Sequence, residues 1–217
     1  MSTTPHRRRV AVLISGRGSN MQALVAAASD PAYPVEIVLV LSNKPNAAGL
    51  AFASDHKIAT AVIDHRTFDG RQEFEVALDA ELVRHDVELV CLAGFMRVLT
   101  EWFINRWTGR LINIHPALLP SFKGLHTHER ALAEGVKIHG CTVHHVVPDV
   151  DAGPIIAQAA VPVLDDDTPD SLGARVLEAE HQLYPMALAL LVSGQTLKKA
   201  KGSHSADQPM LIVPDGA

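Results

Sequence analysis

The chain has 217 residues, of which 47% are hydrophobic and 20% charged, a composition typical of a globular protein and unlike that of a disordered one. Its formal charge of −5 and its isoelectric point near 6.2 argue against a broad nucleic-acid-binding face, which needs a basic surface. A small phosphorylated substrate is not excluded, because backbone N–H groups bind phosphate without a positive net charge.

Neither a membrane nor an oxidising compartment is indicated. No apolar run is as long as a membrane span, and the basic start from Met1 to Arg9 is not followed by the apolar segment of a signal peptide. Cys91 and Cys141 lie far apart inside apolar runs, so we expect buried free thiols. These features predict a cytoplasmic protein.

Short β-branched runs alternate with amphipathic stretches through the first half of the sequence. Between residues 19 and 28, for example, apolar residues recur at the spacing of one helix face. The predicted strands are 9–14, 35–41, 59–63, 87–93 and 109–114, and the predicted helices are 19–28, 46–56 and 71–84. This alternation predicts an α/β fold, an open, doubly wound and mostly parallel sheet with helices on both faces.

The second half of the sequence changes character. The runs 138–147 and 155–163 look like two strands joined by an Asp/Pro/Gly loop, so we expect the sheet to be mixed at its C-terminal edge. A helix is predicted over 169–192, with Thr168 or Asp170 as its N-cap. We predict one domain over 1–201, followed by a polar tail, 202–217, whose short apolar patch is either a docked strand or mobile.

Small residues follow the first predicted strand and open a helix, in the segment Ser15-Gly16-Arg17-Gly18-Ser19-Asn20. In that context backbone N–H groups and the helix N-terminus can approach a phosphate closely. The spacing matches neither the dinucleotide fingerprint nor the nucleoside-triphosphate loop. A tight turn with a serine cap would use the same residues, so both interpretations stay open.

The end of the fourth predicted strand carries Leu92-Ala93-Gly94-Phe95-Met96-Arg97. Ligands of open α/β sheets bind at the carboxyl ends of the strands. Phe95 and Met96 are suited to wall an apolar slot for a flat ring, and Arg97 to reach a carboxylate. The alternative is a core Phe and Met beside a surface Arg.

Asn113 and His115 lie at the end of the fifth predicted strand, two residues apart, so their side chains point the same way. Asp151 lies in a turn-forming loop further along the chain, and its contribution depends on that loop folding back onto His115. An amide, an imidazole and a carboxylate suit acyl transfer to an amine, because they supply an oxyanion donor, a proton carrier and a group that orients the carrier.

Twelve histidines raise the question of a metal site. No HExxH motif or close His/Cys/Asp set is present, and His126-x-His128 fits a metal site or simply the loop before a helix that starts near Glu129. We predict no metal.

Taken together, the segments resemble the phosphoribosylglycinamide formyltransferases, folate-dependent enzymes of purine biosynthesis. The resemblance runs from about Val10 to Val192 and is carried by SGRGSNMQAL, LAGFMRVLT, INIHPALLPSFKGLHTH, HGCTVHHVVPDVDAGPIIAQAAVPV and the helix with Glu178-Ala179-Glu180-His181. It implies a Rossmann-like formyltransferase fold, with 10-formyltetrahydrofolate as co-substrate. The implied reaction transfers the formyl group to the amine of phosphoribosylglycinamide in de novo purine (IMP) biosynthesis.

The resemblance also implies roles for individual residues. Gly18, Ser19 and Asn20 would hold the phosphate of the ribonucleotide, and Glu180 would contact the same substrate. The folate site would be lined by Arg71, Met96, Arg97, Val98, Leu99 and Asn113. The catalytic set would be Asn113, His115 and Asp151.

Physical chemistry is consistent with that catalytic set. The substrate amine attacks the formyl carbon, and the charge that develops on the formyl oxygen would be stabilised by the Asn113 amide and a protonated His115. The Asp151 carboxylate would stabilise the imidazolium. A proton leaves the amine and reaches N10 of the folate, through His115 or through a water held by Asp151.

Three other functions remain to be distinguished. Formyl transfer to methionyl-tRNA uses a related domain with an added RNA-binding domain. This function is disfavoured by the length, the acidity and the GLHTH segment of this chain. Formyltetrahydrofolate hydrolysis uses water as acceptor and a regulatory domain. A non-catalytic folate- or nucleotide-binding protein belongs to a different class. The expected partners are small-molecule substrates, with no nucleic acid and no membrane, and a homodimer stays open.

Overall fold

The structure is a computed structural model that describes residues 6–194 and 210–212. The chain divides into two compact units, of which the first comprises Met1–Asn113 with Val146–Pro148 and the second Ile114–His145 with Asp149–Ala217.

The first unit is built on a parallel sheet. Its strands are β1 (Arg8–Ile14), β2 (Val35–Ser42), β3 (Ala59–Val62), β4 (Leu89–Leu92) and the first three residues of β5 (Leu111–His115), in the order β3-β2-β1-β4-β5. Its helices are α1 (Ser19–Ala28), α2 (Ala48–Asp55), α3 (Arg71–Arg84) and α4 (Glu101–Arg106), with a 3-10 turn at His65–Thr67. The strand order reverses between β1 and β4, and the carboxyl ends of strands at such a point form a ligand crevice.

Burial on both faces explains the apolar composition of these strands. The last five residues of β1 and all four of β4 are buried. Leu13, Leu39 and Val90 belong to a core that also contains Phe74 and Leu78 of α3. Each fully buried aliphatic side chain stabilises the fold by about 1.5–3 kcal/mol, so this core holds the strand ends in place.

The second unit carries antiparallel strands. It contains α5 (Thr127–Ala133), β6 (Ile138–His145), β7 (Ile155–Pro162), α6 (Pro169–Ser193) and β8 (Met210–Ile212), and β7 pairs antiparallel with both β6 and β8. The Thr168 side chain accepts a hydrogen bond from the Ser171 N–H and completes a capping box at the start of α6. Gly194, with φ of 62°, ends this helix in the left-handed conformation.

Most predicted elements are found within a few residues of their bounds. The predicted helices 19–28 and 71–84 are confirmed at both ends, and the N-cap of α6 is Thr168. The predicted strand 87–93 is only Leu89–Leu92, and the fifth strand continues to His115. The prediction of mostly parallel strands, flanked by helices and with antiparallel pairing in the C-terminal part, is confirmed.

Two helices differ from expectation. Helix α4 was not predicted, because its six residues, EWFINR, are too few to show a helical period and include aromatic and β-branched residues of modest helix propensity. Helix α5 begins at Thr127, two residues before the predicted start near Glu129.

The C-terminal tail contributes one short strand to the fold. Within the tail 202–217, β8 pairs with β7, while the rest of the tail and Met1–Pro5 lie outside the described residues. The single domain over 1–201 stays a prediction. Among the described helices, none combines the length and the hydropathy that crossing a membrane requires.

Candidate functional site

The turn between β1 and α1 has the backbone that the sequence predicts. Gly18 is the N-cap of α1 with φ of 73°, which glycine adopts without the steric cost that a side chain would add. No side chain caps this helix, and its first turn, at Ser19 and Asn20, presents the backbone of a helix N-terminus, where an anion is favoured. Arg17 is exposed.

Helix α2 packs closely against this turn. The Gly49 N–H donates to the Gly16 carbonyl at 3.1 Å. A Cβ at Gly49 would lie 2.5 Å from Cδ1 of Ile14 and 3.2 Å from the carbonyl oxygen of Arg17. Glycine at position 49 therefore allows the two backbones to approach, which fixes the shape of the turn.

Ser15 joins the turn to the segment after β4. Its hydroxyl donates to Asn43 Oδ1 at 2.5 Å and accepts from the Met96 N–H at 2.8 Å, and its own N–H donates to the Gly94 carbonyl at 3.1 Å. The segments SGRGSN and LAGFMR, both singled out from sequence, thus contact each other at the switch point of the first unit.

The residues predicted to line a folate site lie in three places in the first unit, at the start of α3, after β4 and on β5. Met96 and Val98 expose 66% and 58% of their surface, whereas Leu99 is buried in the core. Arg71 is exposed and is the first residue of α3. Phe95, proposed as one wall of an apolar slot, is instead a core residue with 8% exposure, because it packs with the side chains of β4 and α3.

His115 is the last residue of β5 and is buried, with 5% exposure. Its Nε2 lies 3.0 Å from the Phe122 carbonyl oxygen, and its Nδ1 lies 3.3 Å from Oδ2 of Asp151. A carbonyl only accepts hydrogen bonds, so Nε2 carries a proton. With Nε2–H donating to that carbonyl, a protonated His115 also forms an ion pair with the Asp151 carboxylate. Asn113, half-buried, lies two residues earlier on the same strand.

Asp151 lies in the loop between β6 and β7 with φ of 49°. The Gly124 N–H donates to its Oδ2 at 2.9 Å, and only 11% of its side chain is exposed. The antiparallel pairing of β6 with β7 returns this loop to the end of β5, which explains how a carboxylate 36 residues after His115 reaches that ring.

His144 is a neighbour of Asp151 that the sequence reasoning did not assign to the site. Its Nε2 lies 3.7 Å from Oδ1 of Asp151, and its Nδ1 lies 2.9 Å from the His145 carbonyl oxygen. Burial lowers the pKa of His144, although the His145 carbonyl and the Asp151 carboxylate act in the opposite direction. The signal in the sequence was a histidine in the predicted strand 138–147, just before the loop with Asp151.

Glu180 lies on the buried face of α6, with 6% exposure. Burial, together with the nearby Glu180 charge, raises the pKa of the Cys141 thiol. Both cysteines are buried thiols that form no disulfide, as expected from the sequence.

The histidines in the described part of the chain do not form a recognisable metal centre. In residues 6–194 and 210–212, no group of three or more His, Cys, Asp or Glu side chains has the arrangement of a metal site. Instead, His126 Nδ1 lies 3.3 Å from Glu129 Oε1 at the start of α5.

The structure therefore brings together two sets of predicted residues. In the first unit the turn between β1 and α1, predicted to bind phosphate, contacts the segment that starts at Met96. In the second unit His115 contacts Asp151, with His144 on the other side of the carboxylate.

Comparisons with known proteins agree with one another. The sequence model of a family described as formyl transferase matches residues 8–188. The chain is 42% identical over 186 residues to the phosphoribosylglycinamide formyltransferase of Escherichia coli (strain K12), which covers 86% of this chain and 88% of that protein. The solved structure of phosphoribosylglycinamide formyltransferase from Brucella melitensis is 53% identical, with a TM-score of 0.83, over 88% of this chain and 98% of that one.

Longer relatives match as well. The chain is 51% identical over 188 residues to the trifunctional purine biosynthetic protein adenosine-3 of Homo sapiens, which covers 87% of this chain and 19% of that protein. Across the trifunctional relatives from cattle, chicken, human and insects, the chain spans only 14–19% of their length.

Proposed function

This chain belongs to the formyl transferase family, and from that premise we propose that it transfers the formyl group of 10-formyltetrahydrofolate to the amine of phosphoribosylglycinamide in de novo purine biosynthesis. The observation that carries the proposal is the contact of 3.3 Å between His115 Nδ1 and Asp151 Oδ2. It supplies a buried proton carrier and a fixed countercharge, which formyl transfer to an amine requires.

In the proposed reaction the neutral amine attacks the formyl carbon. A C–N bond forms, and the electron pair of the carbonyl moves onto oxygen. The Asn113 amide and protonated His115 stabilise that oxyanion, and Asp151 keeps the imidazolium in place through the charge on its carboxylate. When the bond to N10 breaks, N10 takes up one proton and the new amide nitrogen loses one, by way of His115 or a water held by Asp151.

Binding of the ribonucleotide is assigned to the turn at the start of α1. The N–H groups at Gly18, Ser19 and Asn20 suit the phosphate, because the helix dipole favours an anion at a helix N-terminus. Glu180 is assigned to the same substrate.

Binding of the folate is assigned to the segment after β4 and to the start of α3. Exposed Met96 and Val98 suit a flat apolar ring, and the assigned polar contacts come from Arg71, Arg97 and Asn113. We include Leu99 because it anchors this segment in the core.

The proposal needs neither a metal nor a covalent intermediate, since the imidazolium provides the positive charge. It places the reaction in the cytoplasm, assigns residues 1–201 as one catalytic domain, and leaves a homodimer open. Dialysis against a chelator should leave the turnover unchanged, and loss of activity that Zn²⁺ or Mg²⁺ restores would contradict this part of the proposal.

The deciding experiment mixes the purified protein with 10-formyltetrahydrofolate, with and without phosphoribosylglycinamide, and follows tetrahydrofolate release. Release that requires the ribonucleotide is the expected result. Equal release without the ribonucleotide identifies a hydrolase, and binding without release identifies a non-catalytic folate-binding protein. Formylation of methionyl-tRNA in a parallel reaction would identify the RNA-directed transferase.

A further inference from the structure

Glu75 is a buried carboxylate that takes no part in the proposed chemistry. It lies on α3 with 1% exposure. Its Oε1 accepts the Thr100 N–H at 2.7 Å, and its Oε2 accepts the Thr100 hydroxyl in a short hydrogen bond. Burying a carboxylate is costly unless it is hydrogen-bonded, and a leucine at this position would pack without that cost. The pair with Thr100 therefore calls for an explanation other than packing.

Thr100 is a helix N-cap whose side chain does not cap its own helix. It precedes α4, yet its hydroxyl donates to Glu75 on α3 and not to the first turn of α4. The consequence is a fixed position for the backbone at Thr100, which immediately follows the segment Met96–Leu99.

That segment is held at both ends by side chains from other elements. At its start the Met96 N–H donates to Ser15 Oγ at 2.8 Å, and at its end Glu75 binds Thr100. Between these points Met96 and Val98 stay exposed, although apolar side chains on a mobile segment would tend to turn inwards. The two attachments thus hold the apolar side chains outward.

Glu75 also connects this segment to Arg71. The two residues lie four positions apart on α3, on successive turns, so the rigid helix relates the arginine at its start to the segment that Glu75 holds.

We propose that Glu75 is a positioning residue for folate binding, which holds Thr100 so that the Met96–Leu99 segment keeps a fixed place relative to Arg71. This inference rests on the proposed function, since it takes the folate as the ligand of that segment. Glu75 touches neither substrate in this scheme, and it acts only through Thr100.

Asp79 provides a matched control on the next turn of the same helix. It is likewise a buried carboxylate, with 7% exposure, and it binds the other end of α4 through Arg106 Nε at 2.5 Å and Trp107 Nε1 at 3.0 Å. Both carboxylates join α3 to α4, but only Glu75 binds the residue next to the exposed segment.

The experiment compares Glu75→Leu, Glu75→Gln and Asp79→Leu in the full chain by steady-state kinetics. For Glu75→Leu we expect the KM for 10-formyltetrahydrofolate to rise about tenfold, with kcat and the KM for the ribonucleotide within about twofold of the starting values. Glu75→Gln keeps an acceptor for the Thr100 N–H and should restore the folate KM to within about threefold. Asp79→Leu should leave the folate KM unchanged.

Two outcomes overturn the inference. One is an unchanged folate KM in Glu75→Leu, and the other is an equal rise in Asp79→Leu, which would indicate general loosening between the two helices. If Glu75→Leu does not fold, Thr100→Val takes its place, because it removes the hydroxyl and keeps the N–H. Calorimetric titration with tetrahydrofolate separates this test from the proposed function, since weaker binding in the variant is measurable even in a protein without transferase activity.

Discussion

At Asp151 the backbone has a positive φ of 49°, a conformation that costs a residue with a side chain about 1 kcal/mol. The loop has an aspartate at this position, although a glycine would adopt the same φ without the steric cost. The carboxylate that results has the Gly124 N–H on Oδ2 and an imidazole on either side. The geometry of one residue thus sets where the charge of the candidate site lies.

Asp151→Asn removes that charge and keeps an oxygen for the Gly124 N–H. We expect kcat to fall about 10²–10⁴-fold, the range that general acid–base catalysis contributes, while the protein remains folded. The kcat of His115→Ala should fall by a similar factor, because this substitution removes the proton carrier. Steady-state turnover and the circular dichroism spectrum provide the measurement.

The matched control for Asp151→Asn is Asp149→Asn. Asp149 is exposed in the same loop, and the structure records only its backbone carbonyl in a hydrogen bond, with the Ala152 N–H. Its substitution should leave kcat within twofold. A normal rate in Asp151→Asn, or an equal loss in Asp149→Asn, would refute the role of this carboxylate.

Ser19 allows the phosphate assignment to be tested by charge alone. Ser19→Asp places a negative charge in the first turn of α1, where the proposed phosphate also lies. We expect the KM for the ribonucleotide to rise at least tenfold with little change in the folate KM. Ser19→Ala, which removes the hydroxyl and adds no charge, should have a smaller effect. A change confined to the folate KM would show that the phosphate binds elsewhere.

At the scale of elements, the β6–β7 hairpin determines whether Asp151 can reach the end of β5. Gly140 on β6 allows the close approach, since a Cβ there would lie 1.9 Å from the Ala159 carbonyl oxygen on β7. Unlike a side-chain end, this backbone atom cannot move without breaking the strand pairing. The hairpin therefore depends on a residue that has no chemical role.

Gly140→Ala should lower the free energy of unfolding by about 3 kcal/mol, because the added methyl group forces β6 and β7 apart. Urea denaturation measures the loss, and kcat should fall with it if the loop that carries Asp151 shifts. Gly70→Ala is the control. Gly70 has an extended φ of −150°, and a Cβ there meets no atom within 4 Å. Equal stability of the two variants would contradict the argument.

At the scale of the whole molecule, the sequence predicts what depends on local patterns. The strands and helices follow from runs and periods of apolar side chains, and the tight turn between β1 and α1 follows from small residues between a strand and a helix. The pairings between distant segments could not be predicted in this way. The contacts of Asp151 with His115 and His144, and of Glu75 with Thr100, depend on the register of a hairpin and the packing of helices. Neither the register nor the packing produces a characteristic residue spacing in the sequence.

The buried histidines of the second unit connect the stability of the molecule to pH. Burial lowers the pKa of His139 to about 4, and His128 and His115, which face it from other segments, add to the effect, while the Pro116 carbonyl opposes it. Burial also lowers the pKa of His128. Because these pKa values lie below the ordinary value of 6.5, the unfolded chain takes up protons that the folded protein does not.

The sign of the resulting effect follows from that difference. Above pH 6.5 His139 is neutral in both the folded and the unfolded state, so its titration does not change the free energy of unfolding. Between pH 6.5 and pH 4 the unfolded state gains a proton at this residue and becomes relatively more stable. The His139 contribution to this loss is about 2–3 kcal/mol near pH 4.5. His139→Gln removes the titration, so the difference in unfolding free energy between pH 7 and pH 4.5 should shrink by that amount. Urea denaturation at the two pH values measures it, with His126→Gln at an exposed position as the control. An undiminished difference in His139→Gln would show that other groups cause the acid sensitivity.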